Sequence, residues 1–185
     1  MVNSFYSVDR KKYYKVGETL NLMKIDPLKR PYWKLPGWLS EQDLKQHLYD
    51  LFPDGLSFHG WQYLLDRHDF IKSASGAPFV DHAFTVELLF ENIRRAFFST
   101  MPSRFQSFFA WEKVEEAKRF KKPDFKIYRL ECSEFFKADQ NYLTVGVQNI
   151  ECSFCAFQYW SGKCTNTPKW EVLLKPPVFI AELLE

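Results

Sequence analysis

The sequence predicts a single α+β domain. Helical periodicities crowd its first half, strand-like alternation dominates its second half, and one further strand opens the chain. With 185 residues, 46% of them apolar, it can bury one substantial core. No internal repeat, low-complexity tract or clean linker divides it.

Residues 3–9 read as the opening strand, ending in charge, and Gly17 marks a turn before Thr19–Met23 resumes. The stretch from Asp26 to Gly37 is broken by Pro and Gly and reads as a loop. Ser40, with Asp43 three residues on, is a helix N-cap. Leu44, Leu48, Leu51 and Phe52 then recur at helical spacing until Pro53. A short helix around Trp61–Arg67 and a loop at Ser73–Gly76 follow. The clearest helix starts at Asp81, with Val86, Leu89, Phe90, Ile93 and Phe97 as its apolar stripe. Glu91 and Arg95 sit one turn apart, able to pair. Pro102 ends it. A strand at Phe105–Ala110 and a helix through Glu112–Lys121 come next. Phe125–Glu131, Tyr142–Val147, Phe154–Trp160 and Trp170–Leu174 then read as strands. The stretch 26–80 is a mainly helical and loop elaboration between the first strand and the main helix.

Aromatic residues reach 18%, more than a core needs, which leaves some rings for stacking on flat ligands. Net charge is +2 and the sequence pI is near 8.3, too mild for a dedicated nucleic-acid binder. The clusters Arg10-Lys11-Lys12 and Lys118-Arg119 with Lys121-Lys122 read as solvated faces. No apolar run reaches the length of a membrane span, and the N-terminus lacks a signal-peptide core. The expectation is a cytoplasmic protein with no membrane partner and reduced thiols. Cys152 and Cys155 have zinc-knuckle spacing without a second pair, so Cys132, Cys152, Cys155 and Cys164 read as structural and no metal is expected. His47, His59, His68 and His82 share no ligand spacing and read as surface or capping residues.

Three segments carry candidate chemistry. Phe5-Tyr6-Ser7-Val8-Asp9-Arg10 is a strand running into a basic turn. Around Pro102, Ser103 and Ser107 offer hydroxyls, and Arg104 offers a planar cation able to clamp a phosphate. In the last strand, Trp170, Val172 and Leu174 share one face, and Glu171 shares the other with Leu173. A carboxylate there is either an edge residue in water or a functional group.

Together the three segments resemble the ADP-ribosyltransferase superfamily, in which short motifs on separate strands converge on one NAD cleft. The late strand Glu171-Val172-Leu173-Leu174 is similar to that of DNA-modifying toxins of toxin–antitoxin systems. The run from Glu87 to Ala110, with Tyr128, Ala138-Asp139, Tyr159-Trp160 and Glu171, resembles an uncharacterised bacterial transferase-like family. The resemblance implies a split mixed sheet around an NAD cleft and transfer of ADP-ribose from NAD to RNA, DNA or protein. It implies Glu171 as the catalytic carboxylate. For NAD it implies Arg10 and Arg104 at the pyrophosphate, Ser103 and Ser107 at the ribose, and Tyr6 or Phe105 on the nicotinamide. Asp139 is either an acceptor-positioning residue or a turn residue. Lys169 stands where arginine-directed transferases carry a second carboxylate, which favours another acceptor. The implied role is a toxin or phage-defence effector, held in check by an antitoxin or other inhibitor protein. The sequence also admits an NAD glycohydrolase, or a non-catalytic module binding nucleic acid or protein.

Overall fold

A computed structural model describes residues 2–24, 37–66, 70–72, 78–80, 83–144 and 147–185. In chain order these form β1 (Asn3–Asp9), β2 (Thr19–Leu20), α1 (Glu41–Leu51), α2 (Phe58–Trp61), β3 (Phe70–Lys72), β4 (Pro78–Val80), α3 (Ala83–Phe97), β5 (Phe108–Ala110), α4 (Val114–Lys118), β6 (Lys126–Cys132), β7 (Phe135–Asp139), α5 (Asn149–Trp160), β8 (Trp170–Leu174) and β9 (Val178–Leu183).

The α+β class holds. One sheet runs β1-β6-β9-β2, a second runs β5-β8-β7, and β3-β4 form a small hairpin. Every ladder among the described residues is antiparallel, which corrects the expected mixed sheet. The two larger sheets meet where Tyr6 and Trp111 exchange backbone hydrogen bonds of 2.8 Å. Val172 and Leu174 of β8 pack with Phe5, Leu130, Val178 and Ile180 of the first sheet. Leu173 points the other way, into Phe90 of α3 and Ala156, Tyr159 and Trp160 of α5. The period of two therefore puts Glu171 on the helix side of its sheet.

Local chemistry explains most elements. Ser40 caps α1: its Oγ accepts from Asp43 N–H at 3.1 Å, and Asp43 Oδ2 accepts from Ser40 N–H at 3.0 Å. The helix ends where expected, before Pro53. On α3, Glu91 does pair with Arg95 at 2.8 Å. Phe97 is exposed, and the face bearing Glu87, Glu91 and Arg94 is buried as well as the apolar one. Short α2 sits on the turn at Arg104–Gln106, with Ser57 N–H and Oγ both donating to the Phe105 carbonyl. The contact is so close that a Cβ on Gly60 would lie 2.1 Å from that oxygen. Only glycine lets the two backbones touch there.

Four expected elements are corrected. Phe154–Trp160 is helical, the end of α5, because Cys152, Ala156, Tyr159 and Trp160 are buried at helical intervals. Its ring-rich composition suggests a strand, but tertiary burial decides. Tyr142–Val147 is not a strand where described: a 3-10 turn at Gln140–Tyr142 follows β7, and 145–146 lie outside the described residues. The strand expected at Phe105–Ala110 begins with the 3-10 turn Arg104–Gln106, so only Phe108–Ala110 pairs. The helix at Glu112–Lys121 shrinks to Val114–Lys118. The short helix near Trp61 continues as a π-helical turn at Gln62–Asp66. The proposed Asp81 cap, His68, His82, Arg67, the loop Ser73–Gly76 and most of Asp26–Gly37 lie outside the described residues. No helix among the described residues is long and apolar enough to cross a membrane.

Candidate functional site

A cavity of about 990 Å³ opens beside the junction of the two sheets. Glu171, Arg104 and Glu87 line it, with Ser7, Ser107, His59, Phe109 and Gln140 around them. β8 is the middle strand of its sheet, so Glu171 is 3% exposed and is no edge residue in water.

Arg104 organises this end. Its Nε and Nη2 donate to the two oxygens of Glu87 at 2.7 and 2.8 Å. Its Nη1 donates to Tyr159 Oη at 2.5 Å and to Glu171 Oε1. Tyr159 Oη in turn donates to Glu171 Oε1 at 2.7 Å. Oε2 of Glu171 accepts from Gln140 Nε2, at 3.1 Å. One oxygen is thus fixed by two donors, while the other takes a longer bond from a cavity-lining amide.

Burial alone would weaken the charges of Glu87 and Arg104, but pairing outweighs it. Burial would raise the Glu87 pKa, yet Arg104 and then His59 hold it far below the usual carboxylate range. Burial would lower that of Arg104, but Glu171 and Glu87 keep it well above its ordinary value. Burial, against the opposing pull of Arg104, raises the Tyr159 phenol, aided by Glu171, so it stays a neutral donor. A carboxyl whose folded pKa is depressed contributes stability above its unfolded pKa of about 4.3, and the contribution is lost as pH falls through the folded value. Stability should therefore decline below about pH 4.3. In urea titrations, Glu87→Gln should show a shallower acid decline than the parent, and equal slopes would contradict the pairing.

A second network holds the segment before Arg104. Glu91 accepts from Arg94 Nε and Nη2, at 2.9 and 2.7 Å, from Arg95 and from Ser103 Oγ. Arg94 Nη1 donates to the Met101 carbonyl at 2.9 Å, pinning the turn that delivers Arg104.

Of the residues expected at the site, Glu171, Arg104, Ser107 and Arg10 share the cavity. The others do not line it. Tyr6 packs beside Val8, Trp111 and Ile127. Ser103 is spent on Glu91 and on capping Phe105 N–H, and Phe105 is buried against Phe52. The Arg104 guanidinium donates to Glu87, Glu171 and Tyr159. Ser107 Oγ donates to the Ser103 carbonyl at 2.7 Å. Asp139 is fully buried and accepts from the N–H groups of Asn141, Thr165 and Lys169 and from Thr165 Oγ1. Burial raises its pKa, but these donors outweigh burial and lower it. These are the bonds of a turn residue, and Asp139 does not line the cavity.

Several members escape a reading of sequence alone. His59, expected at the surface, stacks 4.7 Å from Phe109 and 4.4 Å from Tyr63 in the cavity wall. Its Nε2 lies 3.3 Å from Glu87 Oε1 but makes no aligned hydrogen bond. Glu87 and Tyr159 belong to the segments that carry the family resemblance, but nothing in their pattern marks them, or Gln140, as cavity residues. The two basic clusters also converge, as Arg10 and Lys11 line the same cavity as Arg119, Lys121 and Lys122. Cys152 and Cys155 lie on α5, and all four cysteines are free. Among the described residues no three His, Cys, Asp or Glu side chains converge as metal ligands.

A family model described as a protein of unknown function (DUF2441) matches residues 5–185. The chain belongs to that family. No curated protein matches the chain. The DUF2441 match spans the opening strand, Arg104 and Glu171, so all parts of the cavity fall within the family's shared region.

Proposed function

We propose that this DUF2441 chain is a mono-ADP-ribosyltransferase that cleaves NAD at the nicotinamide–ribose bond and passes ADP-ribose to a macromolecular acceptor. The observation that carries the reading is the Glu171 carboxylate. It is buried at the cavity, anchored through Oε1 by Arg104 and Tyr159, and contacted at Oε2 by Gln140.

The reaction breaks the ribose C1′–N bond, and the electron pair leaves with nicotinamide. Positive charge develops on the ribose, as in glycoside hydrolysis. A fixed carboxylate in a site of low dielectric stabilises that charge and accepts a hydrogen bond from a ribose hydroxyl. Glu171 suits this role because two carboxylates, Glu87 and Glu171, face one guanidinium. The acceptor nucleophile then bonds to C1′ and its proton passes to solvent.

Arg10, Lys11, Arg119 and Lys122 also line the cavity, and their charge suits the diphosphate. His59 and Phe109 supply flat faces for a ring. Two antiparallel sheets parted around a cavity, with contributions from an opening, a central and a late strand, support the split-sheet architecture of the ADP-ribosyltransferase superfamily. The resemblance extends the proposal to a growth-inhibiting toxin or defence effector restrained by an inhibitor protein.

The test is incubation of purified protein with NAD labelled separately in nicotinamide and in adenine. Release of nicotinamide with adenine label retained on a macromolecule is the expected result. Free ADP-ribose alone would make the protein a glycohydrolase, and intact NAD would overturn both.

A further inference from the structure

We infer that the acceptor is a single-stranded nucleic acid, guided to Glu171 across a rim where cations lie on aromatic rings. The assignment as acceptor rests on the transferase reading above, whereas binding at the rim can be measured without it.

The rim is built from two segments more than a hundred residues apart in sequence. Arg10 and Lys11 follow β1, while Arg119, Lys121 and Lys122 follow α4, and all five line the cavity. Lys121 pairs with Glu185 at 2.7 Å. The other four make no ion pair with a carboxylate among the described residues. The Asp9 carboxylate, the acid within the rim, is buried and accepts from Lys11 N–H and Tyr14 N–H. A dinucleotide diphosphate satisfies only part of this charge, and a phosphodiester chain would use the rest.

The rings give the second, independent observation. The Arg10 guanidinium lies 5.6 Å from the Phe120 ring, which stacks 4.5 Å from Trp111. Lys11 Nζ lies 4.6 Å from Phe58, itself 6.2 Å from Tyr13 and 6.1 Å from Trp61. Lys122 Nζ lies 6.0 Å from Phe125. Tyr13 and Trp61 are 39% and 36% exposed, so both side chains reach solvent. Cations that track a backbone beside rings that stack bases are what an unpaired strand requires. A duplex keeps its bases stacked internally and cannot use the rings, and an acidic peptide has no bases to stack.

The experiment uses the full chain carrying Glu171→Gln, without NAD, and fluorescence anisotropy with labelled oligo-dT and oligo-U of about a dozen nucleotides. A duplex of equal length and polyglutamate serve as competitors. Single strands should bind best, losing roughly fiftyfold in affinity over a fourfold rise in salt if four phosphates are contacted. The exposed pair Arg10→Gln with Lys122→Gln should about halve the logarithmic salt slope, with the fold checked by circular dichroism. The tighter of the DNA and RNA arms identifies the sugar. Duplex or polyglutamate binding as tight as the single strand, no binding at all, or an unchanged slope in the double variant would each overturn the inference. In parallel, wild-type chain and adenine-labelled NAD should label the oligonucleotide. Nicotinamide release without strand binding would sink only the acceptor. Strand binding with intact NAD would sink the transferase reading and, with it, the acceptor role, leaving a binding surface.

Discussion

Arg104→Met is expected to destabilise the fold by about 3–5 kcal/mol, the largest stability loss of any single change at the site. The methionine would fill similar volume, so the loss is electrostatic. Arg104 and Glu171 are each 3% exposed and Glu87 is also buried, and one guanidinium serves both carboxylates and the Tyr159 hydroxyl. Without it, two buried anions face each other and neither can recover its hydration. Arg104→Lys should fall between the two, because an ammonium keeps the charge but cannot reproduce the fork that grips Glu87 through two nitrogens. The informative comparison is the triple variant Arg104→Met, Glu87→Gln, Glu171→Gln. Removing all three charges should recover part of the stability lost by removing one. Urea unfolding of the four proteins measures this. A single Arg104→Met variant as stable as the parent would mean that the carboxylates are solvated or protonated.

This cluster also shows what a linear reading can and cannot see. The alternation in Trp170–Leu174 placed Glu171 opposite Val172 and Leu174, and the sheet keeps it there. Whether that face meets water depends on β5 and β7, which arrive from more than 60 and more than 30 positions upstream. Nothing local to Glu171 encodes them. Arg104 reads as a phosphate clamp and not as a buried ion-pair partner for the same reason: its partners lie 17 residues before it and 55 and 67 after it. The α5 segment misleads differently. Phe, Tyr and Trp favour strands in isolation, but burial at helical intervals against Phe90 and Leu173 outweighs that preference. Ser40 and α1 were legible because a capping box is contained within four residues. The basic rim was not, since each cluster alone is an ordinary surface run and only the fold joins them.

Glu171→Gln should reduce NAD turnover by roughly a hundred- to a thousandfold while leaving NAD affinity nearly intact. The substitution keeps shape and one accepting oxygen, so Arg104 and Tyr159 can still anchor the side chain. What disappears is the negative charge opposite the developing ribosyl cation, which matters more in the transition state than in the bound substrate. Affinity is expected to persist because the diphosphate is assigned to the rim, not to this residue. The fold should survive too, since Glu87 continues to satisfy Arg104 through two hydrogen bonds. Tyr159→Phe offers the contrast. It removes one donor that orients Glu171 but leaves the charge, so its loss in rate should be about tenfold and well short of the Gln variant. Nicotinamide release under saturating NAD, with urea unfolding as the control, separates these outcomes. Retention of more than about a tenth of parental turnover by Glu171→Gln would show that this carboxylate does not carry the chemistry. Equal losses in Glu171→Gln and Tyr159→Phe would instead place the critical element in the orientation of the cluster, with its charge secondary.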